Sequence, residues 1–217
     1  MKVRSMLSIA MMLAAVSFSF STFAQNQGTS IQLPNPQKEG GKPLMSVLSE
    51  RKSTKMFSNE KVTAQILSNL LWAAFGINRE DGRRTAPSAK NYQEISIYVI
   101  TPEGAYLWDA AKNTLNTVVT GDIRDLAGTQ AYAKEAPVNL IYVADYSKMT
   151  DPEGFEKPLL SWANTGLISE NVYLFCASEG LGTVVRARID RDALAKELKL
   201  NADQKITLAQ SVGYKKK

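Results

Sequence analysis

The chain has 217 residues, 44% of them hydrophobic, and a formal net charge of +5. It contains no histidine and a single cysteine. These counts exclude a Ser-His triad, most zinc sites and an intramolecular disulfide. The basic excess forms no Lys/Arg-rich run with interleaved aromatic residues, so no nucleic-acid partner is expected. The composition predicts one ordinary globular domain without a metal site.

The first 24 residues predict a secretory signal peptide. Lys2 and Arg4 precede an apolar run over residues 7–20, and a small residue stands before Gln25. A membrane anchor is the less favoured alternative, because the run is shorter than the ~20 residues that a span requires. We therefore expect a signal at 1–24, export to the periplasm and no membrane span in the mature chain.

The next segment, residues 25–43, is polar and rich in Pro and Gly, which predicts an extended arm or linker. The folded domain is accordingly expected at 44–217, with structure beginning near Leu44. Apolar residues at helical spacing predict a helix over 63–75, with Thr63 as its N-cap and Gly76 as its stop.

The rest of the chain mixes hairpins with helices, which predicts an α+β fold. One helix, over 164–179, is apolar on most of its faces and is therefore expected to be buried on several sides, in a dimer core. The other predicted elements are a strand at 94–101, a hairpin at 105–119 turning near Lys112 and Asn113, a short helix at 129–136, and strands at 138–146, 182–189 and 206–214 with a short helix at 190–199 between the last two.

Three stretches carry candidate chemistry. In the first, "RKSTK", an extended backbone places Arg51, Ser53 and Lys55 on one face, which could hold an anion. A solvated cationic loop is the equally weighted alternative. In the second, residues 82–100, polar side chains crowd in front of a strand: Arg83, Arg84, Thr85, Ser88 and Asn91. Its alternative is a turn that caps the strand. The third, residues 178–190, ends a helix at Gly180 and Gly182, which alone indicates only a helix C-cap.

Together the three stretches resemble the nitroreductase family of FMN flavoproteins, over residues from about 45 to 214. "RKSTKMF" is similar to the family's Arg-x-Ser-x-Lys/Arg-x-Phe opening. "RTAPSAKN" is similar to its Pro-Ser-x-x-Asn segment, most closely in the branch with the azoline-oxidising peptide dehydrogenases. "TGLISENVYLFCASEGLGTVV" resembles its Gly-x-x-x-x-Asn helix, and "SVGYKKK" its Gly-Tyr close. The resemblance implies a mostly antiparallel sheet flanked by helices, in a homodimer built around a long buried core helix.

The resemblance also implies roles for individual residues. Arg51 and Ser53 would hold the FMN phosphate and ribityl chain, with Lys52 alongside and Lys55 near the pyrimidine edge of the flavin. The other subunit would line the ring with a second set of residues: Pro87, Ser88, Ala89 and Asn91. Arg84, in the same stretch, is a further cofactor-binding candidate. A third set would pass the ring edge, with a backbone N–H near flavin N5: Val185, Arg186 and Ala187.

The function so implied is that of an exported FMN-dependent oxidoreductase. Electrons would pass through flavin N5 in a ping-pong reaction, to or from a small substrate such as a nitroaromatic or quinone-like compound. No side chain is expected to be catalytic, because the cofactor carries the chemistry. The alternative is a non-enzymatic protein that binds a flavin or another anionic ligand on the same fold.

Several positions depart from the family pattern. Asn164 stands where the family usually has Asp, and Lys215, Lys216 and Lys217 follow the Gly-Tyr pair in place of a longer basic tail. Lys215 is the candidate for the missing phosphate ligand, the alternative being a frayed tail. The bulky Arg186 could clamp an anionic substrate or point into solvent. Two other residues are expected to be packing residues or pocket borders: Cys176 in the core and Trp162 beside the substrate pocket.

Overall fold

The computed structural model describes residues 29–150 and 156–216, so the predicted signal peptide at 1–24 lies outside the described residues. Within these described ranges, seven strands form one sheet in the order β1-β4-β3-β2-β5-β7-β6, and every pair is antiparallel. The strands are β1 (Ser30–Gln32), β2 (Ile95–Thr101), β3 (Gly104–Asp109), β4 (Thr114–Thr120), β5 (Val138–Asp145), β6 (Leu181–Arg186) and β7 (Gln204–Tyr214).

The part of the chain that the structure describes also contains five α-helices: α1 (Leu44–Glu50), α2 (Ala64–Phe75), α3 (Ala131–Glu135), α4 (Glu156–Ser178) and α5 (Arg191–Glu197). Helix α2 begins and ends as its sequence predicts. The Thr63 side chain accepts the Ile66 amide at 3.2 Å, and the Gly76 amide donates to Trp72 O. The α+β architecture expected from the sequence, a mostly antiparallel sheet flanked by helices, is confirmed. No described helix is long and apolar enough to cross a membrane.

Two element boundaries differ from the expectation by three residues or more. Helix α4 begins at Glu156 rather than 164, because its first turns bury polar side chains such as Ser161 that do not register as an apolar stripe. Strand β6 ends at Arg186 rather than 189. Helix α4 is also only partly buried within one chain, since Leu159, Trp162 and Leu167 lie exposed on it.

The segment 29–43 is extended, but it packs on the domain, and the folded part begins by Ser30 rather than near Leu44. Strand β1 pairs with β4, and Leu33 is buried. The Gln37 amide then donates to Asn69 Oδ1 on α2 at 2.8 Å. The sequence conceals this role because the backbone makes most of the contacts.

Helices α2 and α4 cover one face of the sheet. Leu70, Leu71 and Phe75 of α2 meet Ile168 and Val172 of α4 in the main hydrophobic cluster. Because α4 is 23 residues long, its two halves contact different segments of the chain. These contacts position the candidate site.

Candidate functional site

The "RKSTK" stretch lies extended along the outer edge of strand β6. Ser53 forms a parallel bridge with Thr183, and the Thr54 amide donates to Thr183 O at 2.8 Å. Farther along, Phe57 bridges Lys215 and the Ser58 amide donates to Tyr214 O at 2.9 Å. The structure therefore brings the first and third stretches together with the end of β7.

Gly182 is required for this close docking. A Cβ atom there would lie 2.8 Å from Thr54 Cγ2 and 3.2 Å from Lys215 Cγ. The glycine that sequence reasoning could explain only as a helix cap thus provides room for the "RKSTK" backbone to approach the strand.

Tyr173, on α4, joins the same pieces and was missed by the sequence analysis. Its hydroxyl lies 2.9 Å from Ser53 Oγ and accepts the Val185 amide at 3.0 Å. The Arg51 guanidinium lies over its ring, 5.2 Å from the centroid. The only sequence signal for this role is a hydroxyl inside an otherwise apolar helical run.

Positive charge gathers on this surface. The exposed side chains there include Lys52, Lys55 and Lys215, with Arg51 partly exposed between them. Nearby Glu50 is paired with Lys42 at 2.6 Å, and its pKa is lowered mainly by that hydrogen bond, with a smaller contribution from Lys215. The surface made by Arg51, Lys52, Ser53, Lys55 and Lys215, which we term the cradle, can therefore attract and hold an anion.

The second stretch is built around a buried carboxylate that the sequence analysis also missed. Glu94 is fully buried and accepts from Ser88 Oγ at 3.2 Å and from Asn164 Nδ2 at 2.9 Å. The Asn164 Oδ1 in turn accepts the Ala89 amide at 3.3 Å. The sequence signal for this role is the position of Glu94, an acidic residue directly before an apolar strand. Asn164 thus serves as a donor to Glu94, where an Asp would not.

The loop held by these contacts, residues 87–91, continues into strained backbone. Lys90, Asn91 and Gln93 have φ values of 48°, 56° and 49°, in the left-handed region that non-glycine residues rarely adopt. Each such residue costs about 1–3 kcal/mol, so the surrounding hydrogen bonds must stabilise the loop. Pro87 and Asn91 are exposed at its surface.

Arg84 points its guanidinium inward, toward the base of this loop. Its Nε donates to Gln93 Oε1 at 2.7 Å and its Nη1 donates to Phe75 O at 3.0 Å. Burial lowers the pKa of Arg84. The side chain therefore supports the loop, while its neighbours Arg79 and Arg83 remain at the surface.

Within one chain, the second stretch does not join the cradle. The loop meets α4 at Asn164, whereas the cradle meets it at Tyr173, nine residues farther on. At 1.5 Å per residue the two contact points are about 13 Å apart along the helix. The two groups of predicted site residues therefore form separate surfaces on the single chain.

Both alternatives for the Arg186 side chain are wrong. It neither points into solvent nor faces a substrate, because it is 5% exposed and its nitrogens donate to Ala127 O, Asn139 Oδ1 and Ser211 Oγ at 2.6–3.2 Å. Burial lowers its pKa to about 10. Arg186 thus ties β6 to β5, β7 and the loop at Ala127, which stiffens the strand beside the cradle. Its backbone position next to Val185 and Ala187 remains a site prediction.

Cys176 and Trp162 both lie on α4, the first buried and the second exposed. Cys176 is buried, and burial raises the pKa of its thiol, which confirms it as a core residue. Trp162 is 41% exposed on α4, with the Arg191 guanidinium 5.6 Å from its ring centroid. A border to a substrate pocket remains a prediction for Trp162.

Comparisons with known proteins agree with this geometry. Residues 48–214 match the model of the nitroreductase family. A protein of Methanocaldococcus jannaschii named as a nitroreductase is 30% identical over 164 residues, covering 71% of this chain and 81% of that protein. A crystal structure from Ralstonia eutropha JMP134, also named as a nitroreductase, has a TM-score of 0.83 at 38% identity, covering 88% of this chain and 92% of that one.

A more distant structure shares the fold alone. The NADPH:FMN oxidoreductase of Vibrio harveyi, complexed with NAD+, has a TM-score of 0.61 at 19% identity, over 80% of this chain and 69% of that one. Taken with the family match, these findings show that the chain belongs to the nitroreductase family, a class of oxidoreductases whose members typically bind a flavin.

Proposed function

We propose that this protein is an exported, FMN-dependent oxidoreductase that acts on a small substrate as a homodimer. The observation that carries the proposal is the cradle. It presents an arginine, lysines and a serine hydroxyl on an extended segment packed against a glycine-containing edge strand. Family membership makes a flavin the ligand to test first.

The residues fit a phosphate-bearing cofactor. Arg51 offers a planar fork of donors, Ser53 offers a hydroxyl, and Lys52, Lys55 and Lys215 add positive charge. The ring of Tyr173 supports the Arg51 guanidinium from one side. FMN, when bound, would supply two-electron redox chemistry at N5, which is why a chain without histidine needs no side-chain general base.

Two features of the single chain support the proposed homodimer. The loop 87–91 lies about 13 Å along α4 from the contact point of the cradle, so a site using both surfaces needs a second copy. Helix α4 also exposes Leu159, Trp162 and Leu167. Exposed apolar side chains grouped on one helix favour association. Sedimentation of a flavin-loaded sample as a stable monomer would contradict this part of the proposal.

The cellular location and the reaction direction are further parts of the proposal. The charged and apolar pattern of residues 1–24 supports export. A donor and an acceptor would use the same open face of the cofactor in turn, which gives ping-pong kinetics. The "RTAPSAKN" segment, similar to azoline-oxidising relatives, adds substrate dehydrogenation as the second direction to assay.

The proposed cofactor is tested by an absorption spectrum of the protein purified without added flavin, followed by mass analysis of the released ligand. We expect FMN at near one per subunit. Arg51→Gln should weaken FMN binding by about tenfold or more, because a charge-assisted contact to phosphate is lost. Lys112→Gln removes the same charge from the β3–β4 turn and should leave binding unchanged.

A colourless protein that also fails to take up added FMN would refute the proposed cofactor. FMN-loaded protein that no donor reduces would instead favour the alternative of a binding protein. The Arg186 side chain does not favour that alternative, because its guanidinium is buried and makes only internal contacts.

A further inference from the structure

A pocket of about 480 Å³ opens beside the strained loop. Its lining includes Pro87, Ser88 and Asn91 together with four cations: Arg79, Arg83, Arg84 and Lys90. Among the described lining residues there is no carboxylate. The volume lies within the usual range for small-ligand sites.

The arginines of this pocket are fixed to different degrees. Arg84 is held inward by Gln93 and Phe75. Arg79 donates to Arg84 O at 3.4 Å and to Asn78 Oδ1 at 3.1 Å, contacts that leave its charge unneutralised. Arg83 lies 3.5 Å from Asp81, but both side chains are more than half exposed, so the ion pair is weak.

The loop that lines the pocket has strained backbone that is held in place by buried side chains. Left-handed backbone at Lys90, Asn91 and Gln93 persists because Ser88, Glu94 and Asn164 bond to one another behind it. Backbone strain of this kind concentrates at ligand sites, where the surrounding structure maintains it. A strained loop and a cationic lining therefore coincide in one pocket.

We propose that this pocket binds the anionic group of the redox substrate, so that the preferred substrates are small organic anions bearing a carboxylate. Arginine suits this task because its planar fork can donate two parallel hydrogen bonds to a carboxylate. Ala86 and Pro87 supply an apolar wall for the attached carbon skeleton. The inference rests on the proposed function, since Pro87, Ser88 and Asn91 are also the residues expected to border the flavin ring.

The test compares two probes that differ in charge, 4-nitrobenzoate and 4-nitrobenzamide. Their binding to the flavin-loaded protein is measured at equilibrium by calorimetry, and their reduction is measured kinetically where turnover occurs. We expect the double variant Arg79→Gln/Arg83→Gln to lose about tenfold or more in affinity for the benzoate and nothing for the benzamide. Lys196→Gln, an exposed charge on α5, is the matched control for general electrostatics and should affect neither probe.

Three results would overturn the inference. The first is equal loss for both probes, and the second is unchanged benzoate binding in the double variant. The third is weaker binding of FMN, but not of riboflavin, by the double variant. That result would assign the pocket to the phosphate of the cofactor. Charge-selective binding by protein that takes up no flavin would refute the proposed function while leaving the anion pocket in place, so the two failures are distinguishable.

Discussion

The cradle and the loop 87–91 both depend on α4, but they are constructed in different ways. The cradle is held by backbone contacts to β6 and by one tyrosine hydroxyl, and its charged side chains remain exposed. The loop is held by side-chain hydrogen bonds to the fully buried Glu94 and by Asn164. The cradle is therefore attached to the sheet as an added edge strand would be. The loop is held instead by a cluster of buried polar side chains.

This difference has an energetic consequence. A backbone ladder at a surface tolerates the loss of one side-chain contact, because water can replace it. A buried carboxylate depends on its hydrogen-bond donors to offset the free-energy cost of its removal from water. When such a donor is removed, that cost is no longer offset. We therefore expect substitutions behind the loop to affect folding stability most, and substitutions at the cradle to affect ligand binding more than folding.

The largest effect is expected for Asn164→Asp. This change places a second carboxylate 2.9 Å from Glu94 Oε1, where a donor now lies. The pKa of the pair should rise in the folded state, so stability should fall by about 3 kcal/mol at neutral pH. Because the folded state then binds a proton more tightly than the unfolded state, stability should recover as the pH falls toward about 4. Urea unfolding at several pH values measures this.

The matched rescue is the double variant Glu94→Gln/Asn164→Asp, which exchanges acid and amide across the same contact. We expect it to restore most of the stability at neutral pH. A double variant as unstable as Asn164→Asp alone would show that the hydrogen bond between these side chains does not stabilise the loop.

An intermediate effect is expected for Gly182→Ala. The new methyl group would meet Thr54 Cγ2 at 2.8 Å and displace the cradle from β6. Such overpacking costs about 1–3 kcal/mol, and here it should reduce FMN affinity at least as much as folding stability. Adding Thr54→Ala removes the closest atom and should restore part of the affinity. Flavin fluorescence titration beside thermal unfolding separates the two effects.

The smallest effect is expected for Tyr173→Phe. The change leaves Ser53 Oγ and the Val185 amide without their shared partner, at a cost of about 1 kcal/mol. Tyr92→Phe is the control from the other region, because the Tyr92 hydroxyl is buried without a partner among the described residues. In urea unfolding of both variants, Tyr92→Phe should leave the free energy of unfolding unchanged or raise it. Equal effects of the two variants would mean that the Tyr173 hydroxyl has no role in the cradle.

Much of the fold was predictable because local patterns encode it. The apolar period and caps of α2, the apolar run of β2 and the hairpin near Asn113 are all local features, and the structure confirms them. Strand β1 was not predictable in the same way, because it forms through backbone pairing with a strand more than eighty residues away. The early start of α4 was missed because polar residues are buried on it.

The order of the motifs, the basic character of "RKSTK", the glycine at 182 and the absence of histidine are all legible in the amino-acid sequence without a structure. These features suffice for the family and for the expected cofactor class, since they depend on residue type and spacing. The three-dimensional arrangement was needed to show that Arg186 lies inside, that Glu94 supports the loop and that Tyr173 joins Arg51 and Ser53 of the cradle to β6. The physical reason is that hydrogen bonds between distant segments depend on how α4 lies on the sheet, which no local pattern encodes.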